Sequence, residues 1–555
     1  MSGVSERVPR VTRPELAVFV SGIVSMGLEI LAGRIVAPQF GSSIYTWGSI
    51  IGVSLAALSL GYHQGGKRAA HTTLRELTWL FLATAGYVAF LVFAHEALLT
   101  TTAAIPLPSR YASLPAITIL FGPPTYLLGF VSPYGAQLSG KTGTGEASGH
   151  VYALGTIGSL VGTFGTTFLL IPRLSIDRIG LILGLLLVVT AIAIEAPQIP
   201  RRPAISAAVV TICLVGAVAG GPLGYSVQGQ VVYETQTPYQ ELEVVDSGDT
   251  RTLYLDGKRH SAMNKDEPTR HVFDYTRYFH MPYLMADDPD DIDRVLFVGG
   301  GGFTGPKAFL ENDDDVTVDV VEIDPEVIDA ADTYFEVDTD DERLNVYNDG
   351  GRTFLQETDR GYDAIVLDAY RIDKVPFELT TREFMSVVHD RLSADGVLVA
   401  NVISAPAGPA SEFYRSQYRT IDEVFAQTYA FRTADANVVQ NVEVVATKSD
   451  DRLSEAELAE RNDDRDIGLD MGGEIDGYLE EPRTDDVPVL RDDRATVDDL
   501  LDPMIGQRYV VEETNATGET DGSEENTGNG SGGVESIAPG SAAGASAPPP
   551  LAPGT

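Results

Sequence analysis

Seven apolar runs, each long enough to cross a lipid bilayer as a helix, fill most of the first 222 residues of this 555-residue chain. They fall at about 15–36, 44–63, 77–98, 113–138, 151–171, 177–196 and 204–222. A helix needs about 20 predominantly apolar residues to span the hydrocarbon core. Inside lipid the backbone must satisfy its own hydrogen bonds, which only helices and closed barrels achieve. The runs therefore predict an α-helical transmembrane bundle over residues 15–222, behind an arm of residues 1–14. No A-x-A-like cleavage site follows the first run and more spans come after it, so it reads as a span and not as a removable signal. A multi-pass protein of the cell membrane, with the bilayer as a partner, is expected.

Small residues recur at helix-packing spacing in GSIIG (Gly48, Gly52) and GSLVG (Gly158, Gly162). Such pairs let helix backbones approach closely, so both are read as packing surfaces. GPPTY (Gly122 to Tyr126) is expected to kink the fourth span. Glu29 stands within the first span, where a carboxylate is costly and should face the bundle interior or a water-filled cavity. It is either a cation or proton site or half of an internal ion pair, with Arg34 or His63 as candidate partners. Arg7, Arg10 and Arg13 precede the first span, and Lys67, Arg68 and Arg75 follow the second; both groups read as cytoplasmic. An odd span count then puts the rest of the chain outside and an even count puts it inside, which the sequence leaves open.

Charge divides the chain at the same place. Residues 1–222 carry about +5 and the remainder about −45, out of a net −40. Acidic residues are spread diffusely and arginine greatly outnumbers lysine, the pattern of a halophilic, haloarchaeal-type protein kept soluble in high salt. No basic patch replaces phosphate counterions, so nucleic acid is not expected as a partner. The one cysteine, Cys213, permits no disulfide or thiolate site within the chain, and the eight histidines show no ligand spacing, so no metal is expected.

From about residue 228 the pattern changes. Residues 228–290 alternate apolar and polar positions around turn signals, which predicts a small antiparallel β region with a connecting helix. Residues 291–511 then alternate short apolar runs with helical segments: RVLFVG, VTVDVVEID, LNVYND, YDAIVLDAY and GVLVANVIS as strands, with later strands around YAFRTA and NVEVVATKS. The expectation is an α/β doubly wound, Rossmann-like domain with ligands beyond the carboxyl ends of its strands. RVLFV ends in four glycines; Gly299 and Gly301 are expected to let the backbone approach a nucleoside. Acids fall at three successive strand ends. Glu322, 20 residues past Gly302, suits ribose hydroxyls; Asp349, before Gly350, could meet an adenine amine or serve only a turn; Asp368 stands where a reacting group would lie. The loop lacks a basic neighbour for a pyrophosphate, which favours an adenosyl ligand without phosphates.

The pieces PYQELEV, LYLDGKRHSAMNKDE, HMPYL, VLFVGGGG, DVVEIDPEVIDAA, NDGGRTFL and YDAIVLDAY with TTREF come in the order found in spermidine synthases, the polyamine aminopropyltransferases. From Tyr239 to about Ser404 the chain resembles that family. The first half resembles the membrane domain fused to spermidine synthase-like domains in many prokaryotes. The resemblance implies a class I methyltransferase-type fold, decarboxylated S-adenosylmethionine (or S-adenosylmethionine) as co-substrate, a polyamine partner and a homodimer. It places Gln240 and Glu322 on the nucleoside, Asp349 and Gly350 at the adenine, and His271 near the amine. Tyr370 and Pro376 would line the substrate site, and Asp368 would accept a proton from the attacking amine. The chain departs from the family at Gly302, where an acid is usual, at Val272, where a Glu usually follows the histidine, and at Arg371, where a second strand-four acid is usual. Asp373 could partly substitute. These losses imply a degenerate polyamine site.

Two function classes remain open at this level: a membrane-bound transferase moving an aminopropyl or methyl group to an amine or a membrane-presented acceptor, and a transporter or sensor whose soluble domain binds such a ligand without catalysis. The tail, residues 512–555, is acidic and rich in Gly, Ser and Pro, and is expected to be disordered. Its sequons at Asn515 and Asn529 carry meaning only if they are external. The charge pattern makes a direct prediction. Lowering salt from about 1 M to about 0.1 M lengthens electrostatic screening from about 3 to about 10 Å. The thermal midpoint of the full chain in detergent should then fall by roughly 5–10 °C; scanning calorimetry across a salt series checks it.

Overall fold

The computed structural model describes residues 12–514, apart from 42, 104, 106, 140–143, 220–224, 227–228, 371–374, 466 and 505–506, together with the strand 534–536. The first half is a helical bundle: α1 (Arg13–Phe40), α2 (Ile44–Arg68), α3 (Leu74–Ala103), α4 (Ser109–Gly129), α5 (Val131–Leu138), α6 (Thr144–Phe164), α7 (Ile176–Glu195) and α8 (Arg201–Ala219). With α4 and α5 taken as one interrupted helix, seven helices among the described residues are long and apolar enough to cross a membrane. Helix α1 is the most enclosed of them and packs on α6, α7 and α4. Outward-facing side chains include Leu55, Phe93, Phe164, Phe168, Val189 and Ile212, all exposed and apolar.

The bundle corrects three details of the sequence reading. Gly158 and Gly162 are packing glycines: a Cβ on either would collide with the backbone carbonyl of Phe19 or Ile23 on α1. Gly48 and Gly52 are not, for they face open space; the close approach of α2 uses Gly61 and Gly65 against Tyr126, Gly129 and Phe130. The fourth long helix runs through Pro123 and Pro124, where the kink is expected, and its break comes later, at Phe130, ahead of Pro133, whose ring nitrogen has no proton for the carbonyl a turn earlier. Glu29 is half-buried, and neither proposed partner meets it. Arg34 reaches out of the bundle, donating to Gln236 Oε1 (3.0 Å) and the Thr237 carbonyl (3.3 Å).

A five-stranded antiparallel sheet follows, in the order β1 (Tyr225–Ser226), β2 (Gly229–Gln236), β3 (Glu241–Ser247), β4 (Thr250–Leu255) and β5 (Lys258–Asn264). The main sheet has seven strands: β6 (Arg294–Val298), β7 (Thr317–Glu322), β8 (Leu344–Asn348), β9 (Tyr362–Leu367), β10 (Leu392–Ser404), β11 (Gln427–Arg432) and β12 (Gln440–Thr447). Their spatial order is β11-β12-β10-β9-β6-β7-β8. The five from β6 to β10 are parallel, while β12 runs antiparallel to both β10 and β11. Strands covered on both faces read as continuous apolar runs, as RVLFV and YDAIVL do. One apolar layer joins the main sheet to the antiparallel sheet and the segment Asp274–His280; the other packs the helices Arg382–Arg391 and Glu412–Asp422 on the opposite face.

The domain runs slightly past its expected end at 511. Asp274 N–H donates to the Glu512 carbonyl and Thr514 N–H to the Val272 carbonyl, so residues 512–514 pair with the chain beside His271. Val534–Ser536 also pairs with Arg508–Val510, so residues 512–555 are not uniformly without structure; the remaining tail, with both sequons, lies outside the described residues.

Packing at the α1–α6 crossing can be tested by paired substitutions. Gly158→Val should destabilise the bundle by about 1–3 kcal/mol, because a side chain there overpacks the contact. Gly48→Val should be near neutral. Thermal unfolding of both variants in detergent checks the contrast.

Candidate active site

Strand order reverses between β6 and β9: the chain winds outward from β6 to β7 and β8, then returns to place β9 on the other side. In doubly wound sheets a ligand crevice opens at such a point, beyond the carboxyl ends of the strands. Here the two strand ends touch. Gly299, directly after β6, has φ +101°, and a Cβ on it would collide with the carbonyl of Asp368, directly after β9. Only glycine accommodates both the backbone angle and that contact.

A cleft of about 710 Å³ opens there. Gln240, Gly299, Glu322, Asp349, Gly350, Asp368 and Pro376 all line it, so seven of the residues singled out in the sequence converge. Glu322 is held by backbone: Gly300 N–H donates to its Oε2 and Asp324 N–H to its Oε1, each at 2.9 Å. Burial raises its carboxyl above the ordinary range, while these donors oppose that rise. Asp324 supports the same corner. Its Oδ2 accepts from Thr237 Oγ1 (2.6 Å) and Gln240 Nε2 (3.4 Å), and its Oδ1 accepts from Glu326 N–H, starting the helix Pro325–Tyr334. Asp349 both lines the cleft and serves a turn, accepting from Gly350 N–H (2.7 Å).

Asp368 also lines a second, smaller cavity of about 40 Å³, together with Tyr275, Tyr370, Asn401, Asn441 and Tyr509. Among the described residues only Leu255, His260 and Asp368 line both spaces. Asp368 therefore stands at the junction of a large cleft and a small polar one. Burial pushes its carboxyl up to about 6, against the pull of Asn401, whose Nδ2 donates to Oδ1 at 2.8 Å. Asn401 in turn accepts from Asn441 Nδ2 (2.8 Å), and Asn441 accepts from the Tyr509 hydroxyl (2.8 Å). A carboxylate with a midpoint near neutrality suits proton acceptance.

Of the other site residues expected in the α/β half, two line neither space and one, Tyr370, lines only the smaller. Gly301 does not line the cleft; it packs against Ser261 and His260. His271 is buried in the core beneath the Asp274–His280 segment, with Nδ1 on Thr276 Oγ1 (2.7 Å) and Nε2 on His280 Nε2 (3.2 Å), and lines neither space. Tyr370 lines the smaller cavity, but its hydroxyl is engaged by the Leu379 carbonyl (2.8 Å). The structure also explains Gly302, for a Cβ there would lie 2.9 Å from Ser261 Cβ, while its N–H donates to Ser261 Oγ (3.0 Å). An acid at this position has no room. Arg371 and Asp373 lie outside the described residues. Sequence reading missed His260 and Asn401. Asn401 left one signal, a lone amide in the apolar run GVLVANVIS. Among the described residues no group of His, Cys, Asp and Glu is arranged to hold a metal ion.

Comparison with known proteins bears on this arrangement. Residues 275–434 match the spermine/spermidine synthase domain. A polyamine aminopropyltransferase from Vibrio vulnificus is 30% identical over 213 residues, covering 37% of this chain and 68% of that protein. The chain belongs to the spermine/spermidine synthase family. Another relative, a polyamine aminopropyltransferase from Oceanobacillus iheyensis, is 23% identical over 434 residues, 74% of this chain and 80% of its own length, so the similarity reaches into the helical half. Among solved structures, a probable spermidine synthase from Corynebacterium glutamicum aligns with 49% of this chain and 99% of its own, at 18% identity and a TM-score of 0.41.

The Asp368–Asn401 contact gives a signed prediction. Removing the amide donor takes away a bond to the ionised carboxylate, so Asn401→Leu should raise the Asp368 midpoint above about 6 by about one unit or more. Carbon-13 NMR of the carboxyl, or the acid limb of any turnover, would record the shift.

Proposed function

We propose that this protein is a membrane-embedded transferase that binds a decarboxylated S-adenosylmethionine-type nucleoside in the large cleft and passes its aminopropyl group to an amine. The observation that carries this reading is the position of Asp368 between the cleft and the smaller polar cavity. In this reading Glu322 and Gln240 take the ribose and Asp349 and Gly350 the base, which their common place on the cleft wall with Pro376 supports. An ammonium is not a nucleophile. Asp368 takes its proton, the freed amine nitrogen bonds to the aminopropyl carbon, and the carbon–sulfur bond breaks with its electrons left on sulfur. The leaving group is then a neutral thioether, and the positive charge passes from sulfur to the newly bonded nitrogen, which leaves as a secondary ammonium. Burial helps here, since a carboxylate with few hydration waters accepts a proton more readily. Intact S-adenosylmethionine, with methyl transfer, is the variant of the same site.

The exposed apolar belt and the seven long helices support insertion in a bilayer. The α/β half docks at the end of the bundle formed by the carboxyl end of α1 and the start of α2. Arg34 meets Gln236 and Thr237 there, and Tyr45 donates to Asp499 Oδ1 at 3.0 Å. The basic loop of Lys67, Arg68 and Arg75 is at the other end of α2. With that loop cytoplasmic, the cleft faces outward, and this placement favours a second reading: an external domain that binds an adenosyl compound or polyamine for a transporter or sensor without turning it over.

Two measurements separate the readings. Titration calorimetry of the full chain in high salt, with decarboxylated S-adenosylmethionine, S-adenosylmethionine and methylthioadenosine, should show nucleoside binding; binding of none would sink the transferase. Product analysis with putrescine and spermidine should show turnover, and Asp368→Asn should reduce it by about 10²–10⁴-fold while nucleoside binding persists. Binding without turnover in the wild type would favour the sensor.

A further inference from the structure

One fully buried acid has no part in the nucleoside cleft. Glu443, within β12, has no exposed surface, and neither of its carboxylate oxygens has a hydrogen-bond partner among the described residues. Its neighbours along the strand are Val442 and Val444. A buried polar group without a partner is costly, and a charged one far more so. Such a group in a native core calls for an explanation.

Its place in the sheet offers one. Strand β12 pairs with β10 so that Glu443 lies opposite Asn401 and Asn441 lies opposite Ile403. Directly opposed residues of an antiparallel pair share a face. Asn401, Ile403 and Asn441 all line the cavity of about 40 Å³ beside Asp368. Glu443 is therefore on the cavity's face of the sheet, opposite Asn401 and directly behind the residues that form the cavity wall. On the other side of β10, Asp368 follows β9 and accepts from that same Asn401. Two carboxylates thus bracket one asparagine from strands on either side. Two strand spacings separate their backbones, roughly 10 Å.

Further observations point to a cation. Burial first, and then the charge of Asp368, hold the Glu443 carboxyl well above the ordinary range, and a cation placed beside it would favour its ionised form. The cavity is large enough for water-sized groups, and Tyr275, from the segment covering this face, contributes to its wall. Of the basic residues on that wall, Arg259 is already ion-paired with Glu513 and stacked over Phe273.

We propose that Glu443 is the second anchor for a short aliphatic diamine, one amine lying at Asp368 and the other ammonium held by Glu443. This rests on the aminopropyl-transfer reading and deepens it. It also assigns a source for the acidic charge missing at Gly302, where no side chain fits. The charge comes from β12, on the far side of Asn401, instead of from the glycine loop.

Titration calorimetry on the full chain, in detergent and high salt with methylthioadenosine present, tests it with two probes, putrescine and the monoamine butylamine. Glu443→Gln should weaken putrescine binding by about tenfold or more, while butylamine and methylthioadenosine stay within about twofold of wild type. An unchanged putrescine affinity, an equal loss of butylamine, or a wild type that binds methylthioadenosine but no putrescine would each overturn the proposal. Failure of the wild type to bind any adenosyl ligand would count against the transferase reading instead, and the putrescine difference between wild type and Glu443→Gln would still decide the role of Glu443. Should Glu443→Gln not fold, Glu443→Asp keeps the charge but shortens its reach, and an unchanged putrescine affinity there also counts against the proposal.

Discussion

The contact between Gly299 and the carbonyl of Asp368 fixes the geometry on which the rest of the α/β half depends. Two parallel strands end side by side, with no side chain between them. That closeness sets the mouth of the cleft, brings the end of β9 to it and leaves Asp368 facing two spaces. A bulkier residue at 299 would force the strand ends apart, and a left-handed backbone angle makes any L side chain there strained as well. The neighbouring Gly300 N–H then completes the corner by donating to Glu322. One backbone approach thus places both cleft-lining acids, Glu322 and Asp368.

The bundle is tied to this corner through a continuous set of polar contacts. Arg34 of α1 donates to Gln236 and to the Thr237 carbonyl, the Thr237 hydroxyl donates to Asp324, Asp324 N–H donates to Glu322, and Glu322 accepts from Gly300. A basic residue near the carboxyl end of a long apolar helix therefore supports the segment that carries Gln240. This gives Arg34 a structural role distinct from the ion pair with Glu29 expected within the bundle. The helical half and the α/β half share a built joint and are not merely tethered.

Much of the fold was legible because it follows from local periodicity. Runs of about 20 apolar residues became the seven long apolar helices, and buried runs such as RVLFV and YDAIVL became central parallel strands. Acids at the ends of successive strands converge because parallel strands present all their carboxyl ends to one edge, so Glu322, Asp349 and Asp368 had to come together once the strands were placed. Other features depend on neighbours distant in sequence, and the chain carries no local sign of them. Gly48 and Gly158 have the same spacing to a partner glycine, but only Gly158 meets another helix. His271 resembles a site residue in its motif, but its ring turns into the core toward Thr276 and His280.

What the sequence determined by itself was the division of the chain into an apolar helical half and an acidic α/β half, the order of the strands along the chain, and the glycine loop with its three strand-end acids. These depend on hydrophobic periodicity and backbone freedom, which are properties of short stretches. Tertiary structure alone decided which side chains share a space. Asn401 and Glu443 are 42 residues apart and become neighbours only because β12 returns antiparallel beside β10. His260 comes from a different sheet and still meets Asp368 at the junction of the two cavities. The reason is that sheet pairing is a long-range choice of register, made by the packing of whole faces, and no stretch of sequence encodes it alone.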